Sequence, residues 1–127
     1  MGEGKAYLAH MGISTHWMVH SPYREMKEFA ARRGEEAHAM LHFDQEFGQR
    51  HAVALNGIYD AVKLDYFGFD CAETRDGKLL VFELSNALII HACDDQAVFP
   101  YKIPQMHKIF SAFYAMLRNT VAVQTAP

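Results

Sequence analysis

Long apolar runs are missing from this chain. Runs such as Leu79–Phe82 and Ala87–Ile90 fall far short of the roughly 20 residues a membrane helix needs, so no membrane partner is expected. Cysteine is scarce: Cys71 and Cys93 alone cannot make a disulfide framework, and two buried free thiols in a cytosolic protein are expected. Basic charge is not in excess. Twelve Lys and Arg against fifteen Asp and Glu give a net charge of −3, and without a basic stripe nucleic acid is not an expected partner. The start, Met1 to Lys5, lacks the apolar stretch of a secretory signal. Ala6 stands where a myristoylation signal wants Ser or Thr. A cytoplasmic location is therefore expected. There is no Gly-rich Walker loop, no dinucleotide fingerprint, no Gly-x-Ser-x-Gly elbow and no His-Glu-x-x-His pattern.

What the chain does have is core material. Half of its 127 residues are hydrophobic and 21% are charged, which argues for one folded domain over residues 1–127 and against disorder. Lys5–His20 reads as two short strands around Gly12 and Ser14-Thr15. Ser21 as N-cap and Pro22 at the first helical position start a helix to about Arg33, with Gly34 as its C-cap. A second helical stretch covers Glu35–His42, and Asp44 caps a third from Gln45 to about Lys63. Phe47, His51, Ala54, Leu55, Ile58 and Val62 form its buried face. Leu64–Glu73 and Lys78–Leu84 read as strands of a hairpin turned at Asp76-Gly77, where glycine accepts the positive φ of a tight turn. Ala87–Ala92 is a third apolar segment. Pro104 opens a last helix to about Asn119 with Met106, Ile109, Phe110, Phe113 and Leu117 on its face. The expected fold class is α+β, an antiparallel sheet with helices packed on one face.

The chemistry concentrates in Asp70, the turn, and Phe82-Glu83-Leu84-Ser85-Asn86. The turn lies about midway between Asp70 and Glu83, so the two carboxylates can stand side by side, and directly opposite residues on adjacent strands are about 5 Å apart. Two carboxylates that close repel unless a proton or a cation lies between them. Mg²⁺ with substrate phosphates is the natural hard cation. The alternative is a pair of solvated acids on a hairpin. The apolar neighbours Phe67, Phe69, Leu80, Phe82 and Leu88 weigh against it, because an acid among them is costly unless paired or liganded.

Carboxylate, turn, then Glu followed closely by Asn resembles the end of the ATP-grasp core, as in the D-alanine–D-alanine ligase family. The pieces LAHMGISTHWMVH (8–20), RRGEEA (32–37), LDYFGFDCAETRDGKLLVFELSNALIIH (64–91) and FPYK (99–102) look like a bacterial ATP-grasp branch often found with tetratricopeptide repeats. The resemblance implies a partial ATP-grasp fold in which Asp70 and Glu83 hold Mg²⁺ against the phosphates of ATP. The parent activity would be activation of a carboxylate as an acyl phosphate for attack by an amine or another nucleophile. Two features depart from the family. The position two after the Glu is Ser85, with Asn86 one further on, so either could complete the metal shell. An earlier lobe carrying phosphate-binding lysines is not represented. A partial domain, inactive alone, is expected. Its partners would be ATP, a carboxylate substrate, and either a complementing N-terminal lobe or a second copy of the chain. His20 and Lys102 are the positions the resemblance offers for nucleotide or substrate, and His91 ends the third apolar segment. The competing reading is a non-catalytic, self-associating module.

Eight histidines raise a further metal reading. His16 and His20 are four apart, as are His38 and His42, a spacing that sets two imidazoles on one face for Zn²⁺, of a strand for the first pair and of a helix for the second. Ordinary surface or core histidines are the alternative.

Overall fold

The computed structural model describes Met1, residues 4–16 and residues 23–124. Trp17, His20, the Ser21 cap and the Pro22 helix start lie outside the described residues. The described elements are α1 (Tyr23–Glu28), α2 (Ala30–Leu41), a π-helical turn (Asp44–Gly48), α3 (Ala52–Val62), β1 (Gly68–Glu73), β2 (Leu79–Ser85) and α4 (Lys102–Gln124). Helices with a two-stranded antiparallel sheet make a small α+β fold.

The helical boundaries differ from expectation for local reasons. Phe29 is extended, at φ −107° and ψ 105°, and splits the first helix from the second. Arg33 Nη1 then donates to the carbonyls of Met26 and Lys27, which the end of α1 leaves without helical partners. With the break at Phe29, Gly34 is no C-cap. It lies inside α2, where a Cβ would meet nothing within 4 Å. The third helix is not continuous from Gln45: the chain first makes a wide turn in which the Gly48 amide donates to the Phe43 carbonyl at 2.7 Å. α3 then ends on Lys63 in the left-handed region, φ 55°.

The two strands expected in Lys5–His20 do not form over the described part, where Lys5 is a single bridge residue. Met1 instead brackets Phe67: its amine donates to the Phe67 carbonyl, and the Phe67 amide donates back at 3.2 Å. Ala87–Ala92 forms no strand either. It lies as irregular chain against the start of β1, with Leu88 over Gly68 and the Leu88 carbonyl accepting from the Tyr66 hydroxyl at 3.0 Å.

The core is small. Met26, Met40, Leu55, Phe67, Phe99, Met106 and Met116 are its buried hydrophobic members. On α4, Met106 is buried as expected, but Phe110, Phe113 and Leu117 are exposed and Met116 is buried instead. Among the described residues, too little chain lies opposite the outer half of α4 to cover the face its periodicity defines.

Candidate functional site

Residues 74–78 set the hairpin. The Gly77 amide donates to the Thr74 carbonyl at 2.9 Å, and the Thr74 amide to the Lys78 carbonyl at 2.8 Å. Thr74 Oγ1 donates to Asp76 Oδ1 and accepts from the Lys78 amide. Gly77 adopts φ +76°, which a residue with a Cβ reaches only with strain. This turn sets the pairs beside it, Glu73 opposite Leu79 and Ala72 opposite Leu80; farther along the strands Asp70 stands opposite Glu83, and Gly68 opposite Ser85.

A β-bulge between Asp70 and Cys71 shifts the pairing so that Cys71 faces Val81 and Phe82 is the extra residue. Opposed residues share a face, and successive residues alternate. One face therefore carries Gly68, Asp70, Ala72, Leu80, Glu83 and Ser85. The other carries Phe69, Cys71, Glu73, Leu79, Val81 and Leu84. Ser85 shares the face of Asp70 and Glu83, while Asn86 lies past the strand in a turn. The Ser85 hydroxyl accepts from the Ala87 amide at 3.1 Å, which leaves its other lone pair and its proton available.

The carboxylates are not enclosed by apolar side chains. Asp70 and Glu83 are exposed, Leu80 is 50% exposed and Phe82 65%. The burial that the sequence pattern suggested is absent because no element covers this face among the described residues. Cys71, half-buried on the reverse face, has its thiol pushed up by burial and then by the charge of Asp70, so it is a poor nucleophile. Cys93, expected to be buried, is exposed.

Lys102 does not approach the hairpin pair. It is buried at the start of α4, 3.4 Å from Glu36 Oε1 and 3.5 Å from Asp94 Oδ2, with Nζ 4.9 Å from the Phe99 ring centroid. The first turn of a helix disfavours a cation, and the two carboxylates offset that. Glu36, fully buried, is the hub. It accepts from the Met11 amide at 3.0 Å and the Tyr101 hydroxyl at 2.6 Å, and His10 Nδ1 lies 3.6 Å away. Burial pushes this carboxyl up. The contacts of His10, Tyr101 and Met11 and the charge of Lys102 more than reverse that and hold it at about 2. Burial, then the bond to Glu36, pushes the Tyr101 hydroxyl up, so it stays a donor. Three sequence pieces thus meet at one carboxylate: LAHMG through Met11 and His10, RRGEEA through Glu36, and FPYK through Tyr101 and Lys102. Sequence reasoning missed Glu36, because a glutamate inside a charged helical stretch reads as solvated. His91 is exposed, and its Nδ1 meets the Cys93 amide at 3.3 Å.

A surface cleft of about 450 Å³ lies between the N-terminal segment and the π-helical turn, lined by Lys5, Phe43, Asp44, Gln49 and Asn56 among others. Neither hairpin carboxylate lines it. Comparison with protein-family models, with curated proteins and with solved structures finds no match for this chain.

Proposed function

We propose that this chain is the metal-carrying, C-terminal portion of an ATP-grasp domain, in which Asp70 and Glu83 hold Mg²⁺ for the phosphates of ATP. The observation that carries this is the register: two carboxylates directly opposed on an open strand face, with a serine hydroxyl two residues on along the same face. Two carboxylates and a hydroxyl are the hard oxygen donors Mg²⁺ takes, and their exposure leaves room for the waters and phosphate oxygens it keeps. Ser85 is better aligned than Asn86 to complete that set. The cation would neutralise phosphate charge and align the transferring group. The partner reaction is ATP-dependent ligation of a carboxylate to an amine or thiol. One strand face offers one wall of a nucleotide cleft, so a complementing lobe is part of this reading, and the chain by itself is inactive. Lys102 enters it as the residue that, with Glu36, joins α2 to α4. A role at nucleotide would require its release from Glu36 and Asp94.

The test is thermal unfolding with Mg²⁺ and ATP, alone and together, against the Asp70→Asn, Glu83→Gln double variant. Ligand at 100 times its Kd adds about 2.7 kcal/mol. A rise that requires both ligands and disappears in the double variant supports the reading. No rise at millimolar ligand removes it for the chain alone.

A second reading is favoured by a separate observation. Leu80, Val81, Phe82 and Leu84 are all exposed along one strand, more apolar surface than a solvated edge strand ordinarily carries. Under it the chain is a self-associating module. Sedimentation decides: a strict monomer at high concentration removes this reading.

A further inference from the structure

We propose that His38, His42 and Glu46 form a binding site for a divalent transition-metal ion, with Zn²⁺ as its simplest occupant, independently of any nucleotide at the hairpin. One donor atom from each of the three side chains lies within 4.8 Å of the other two. His38 and His42 are one helical turn apart at the end of α2, with ring centroids 4.3 Å apart. Glu46 arrives from the π-helical turn. The wider turn carries Glu46 back over α2 and sets its Oε1 3.0 Å from His38 Nε2. Such widened turns recur at functional sites.

The hydrogen bonding prepares one ligand. His42 Nδ1 lies 3.1 Å from the His38 carbonyl. That oxygen can only accept, so Nδ1 carries the proton and Nε2 keeps its lone pair, the form a metal needs. His38 Nε2 faces a carboxylate in the same way, so without metal it donates to Glu46. On metal binding the neutral ring moves its proton to Nδ1, and both Nε2 and the carboxylate turn to the cation. Zinc held at about 2.0–2.2 Å from N and O donors requires them about 3.3 Å apart, within reach of small side-chain rotations at the exposed His38 and Glu46 and the half-buried His42. The donor set excludes Mg²⁺, which takes oxygen ligands, and suits Zn²⁺, Ni²⁺ or Cu²⁺. Three protein ligands leave a position for water or for a group from a partner.

The experiment titrates the full chain with Zn²⁺ by calorimetry and with Co²⁺ by absorption. It uses wild type and His38→Gln, His42→Gln, Glu46→Gln and His107→Gln, the folding of each confirmed by circular dichroism. One ion per chain is expected, with affinity at least tenfold weaker in each of the first three variants and unchanged in His107→Gln. Because a variant can misfold, ¹H–¹⁵N correlation of the imidazole nitrogens in wild type supplies a second reading: Zn²⁺ should shift His38 and His42 and leave His107 in place. The proposal is overturned by absence of stoichiometric binding, by wild-type affinity in His38→Gln and His42→Gln, or by a thiolate-to-cobalt band that puts the ion on Cys71 or Cys93.

Discussion

Replacing Glu36 by Gln isolates the charge of the buried hub. Oε1 faces the Met11 amide and Lys102, and Oε2 accepts from Tyr101. A glutamine oxygen in the first position keeps the Met11 bond, and its NH₂ in the second can donate to the Tyr101 oxygen. Shape and most hydrogen bonds survive, while Lys102 keeps Asp94 as its carboxylate partner among the described residues. The Glu36 carboxyl is held at about 2 in the fold against an ordinary 4.5. At about 1.4 kcal/mol per pH unit this is about 3 kcal/mol of stability at neutral pH. Because the folded-state value is depressed, that stability is fully present above about pH 4.5 and is lost as pH falls toward 2. Urea unfolding at stepped pH should therefore show Glu36→Gln about 3 kcal/mol less stable than wild type at pH 7, a melting point lower by on the order of 10 °C. The gap should close progressively below pH 4.5. A gap that is constant from pH 7 to pH 3 would mean that Glu36 acts through shape, not charge. Glu36→Ala should cost more, about 3–5 kcal/mol, because it leaves a buried ammonium half-paired and the half-buried Tyr101 hydroxyl without its acceptor.

Other substitutions test other parts of the structure. A Cβ on Gly68 would lie 2.3 Å from Leu88 Cδ2, so Gly68→Ala should displace the segment after β2 and destabilise by about 1–3 kcal/mol, read by chemical unfolding. Gly34→Ala and Gly57→Ala, both inside helices with open space at the Cβ position, should each stabilise by about 0.5–1 kcal/mol, and a melting-point drop in either would refute the packing described. Asp70→Asn alone should raise the melting point by about 1–3 °C without divalent cation, by removing a like-charge cross-strand pair, and should abolish any rise caused by Mg²⁺ and ATP. Equal melting points without cation would mean that the two carboxylates do not sense each other.

The hairpin was legible because its signals are local. Asp76-Gly77 dictates a turn, and counting from its middle pairs Asp70 with Glu83, although the pairs beside the turn, Glu73 with Leu79 and Ala72 with Leu80, would by themselves set Asp70 opposite Phe82. The bulge at Phe82 was not legible, since it adds a residue without a composition signal. It nevertheless decides that Asp70 opposes Glu83 and not Phe82, and that Leu80, two turn-ward positions from the extra residue, shares a face with Glu83. The helical breaks were missed for a related reason. Phe29 carries no breaker signature, while Gly34 and Pro22 do, so the sequence points to a boundary at the glycine. The Glu36 hub depends on contacts across 25 and 65 residues, which no periodicity reports. Hydrophobicity alone overstates burial: the side chains of β2 and of the outer half of α4 are hydrophobic, yet little of the described chain lies against them.

That uncovered strand separates the two functional readings by electrostatics. If a second copy stacked on the face bearing Asp70 and Glu83, four carboxylates would enter one interface. Burying unpaired charge is costly enough to outweigh the contacts of Leu80 alone. Self-association without cation must then use the reverse face, through Val81 and Leu84, where the carboxylate of Glu73 is already paired with Arg50 and His51, or the β2 edge at Phe82. Val81→Asp or Phe82→Asp should dissociate an oligomer in sedimentation, while the Asp70→Asn, Glu83→Gln variant leaves it intact. Under the nucleotide reading the carboxylate face is the one that acquires a neighbour, and Mg²⁺ is what makes its burial tolerable. An oligomer that forms only with Mg²⁺ and is lost in the Asp70→Asn, Glu83→Gln variant would overturn the assignment of self-association to the reverse face or the edge. It would also show that the two acids hold their cation between copies of the chain.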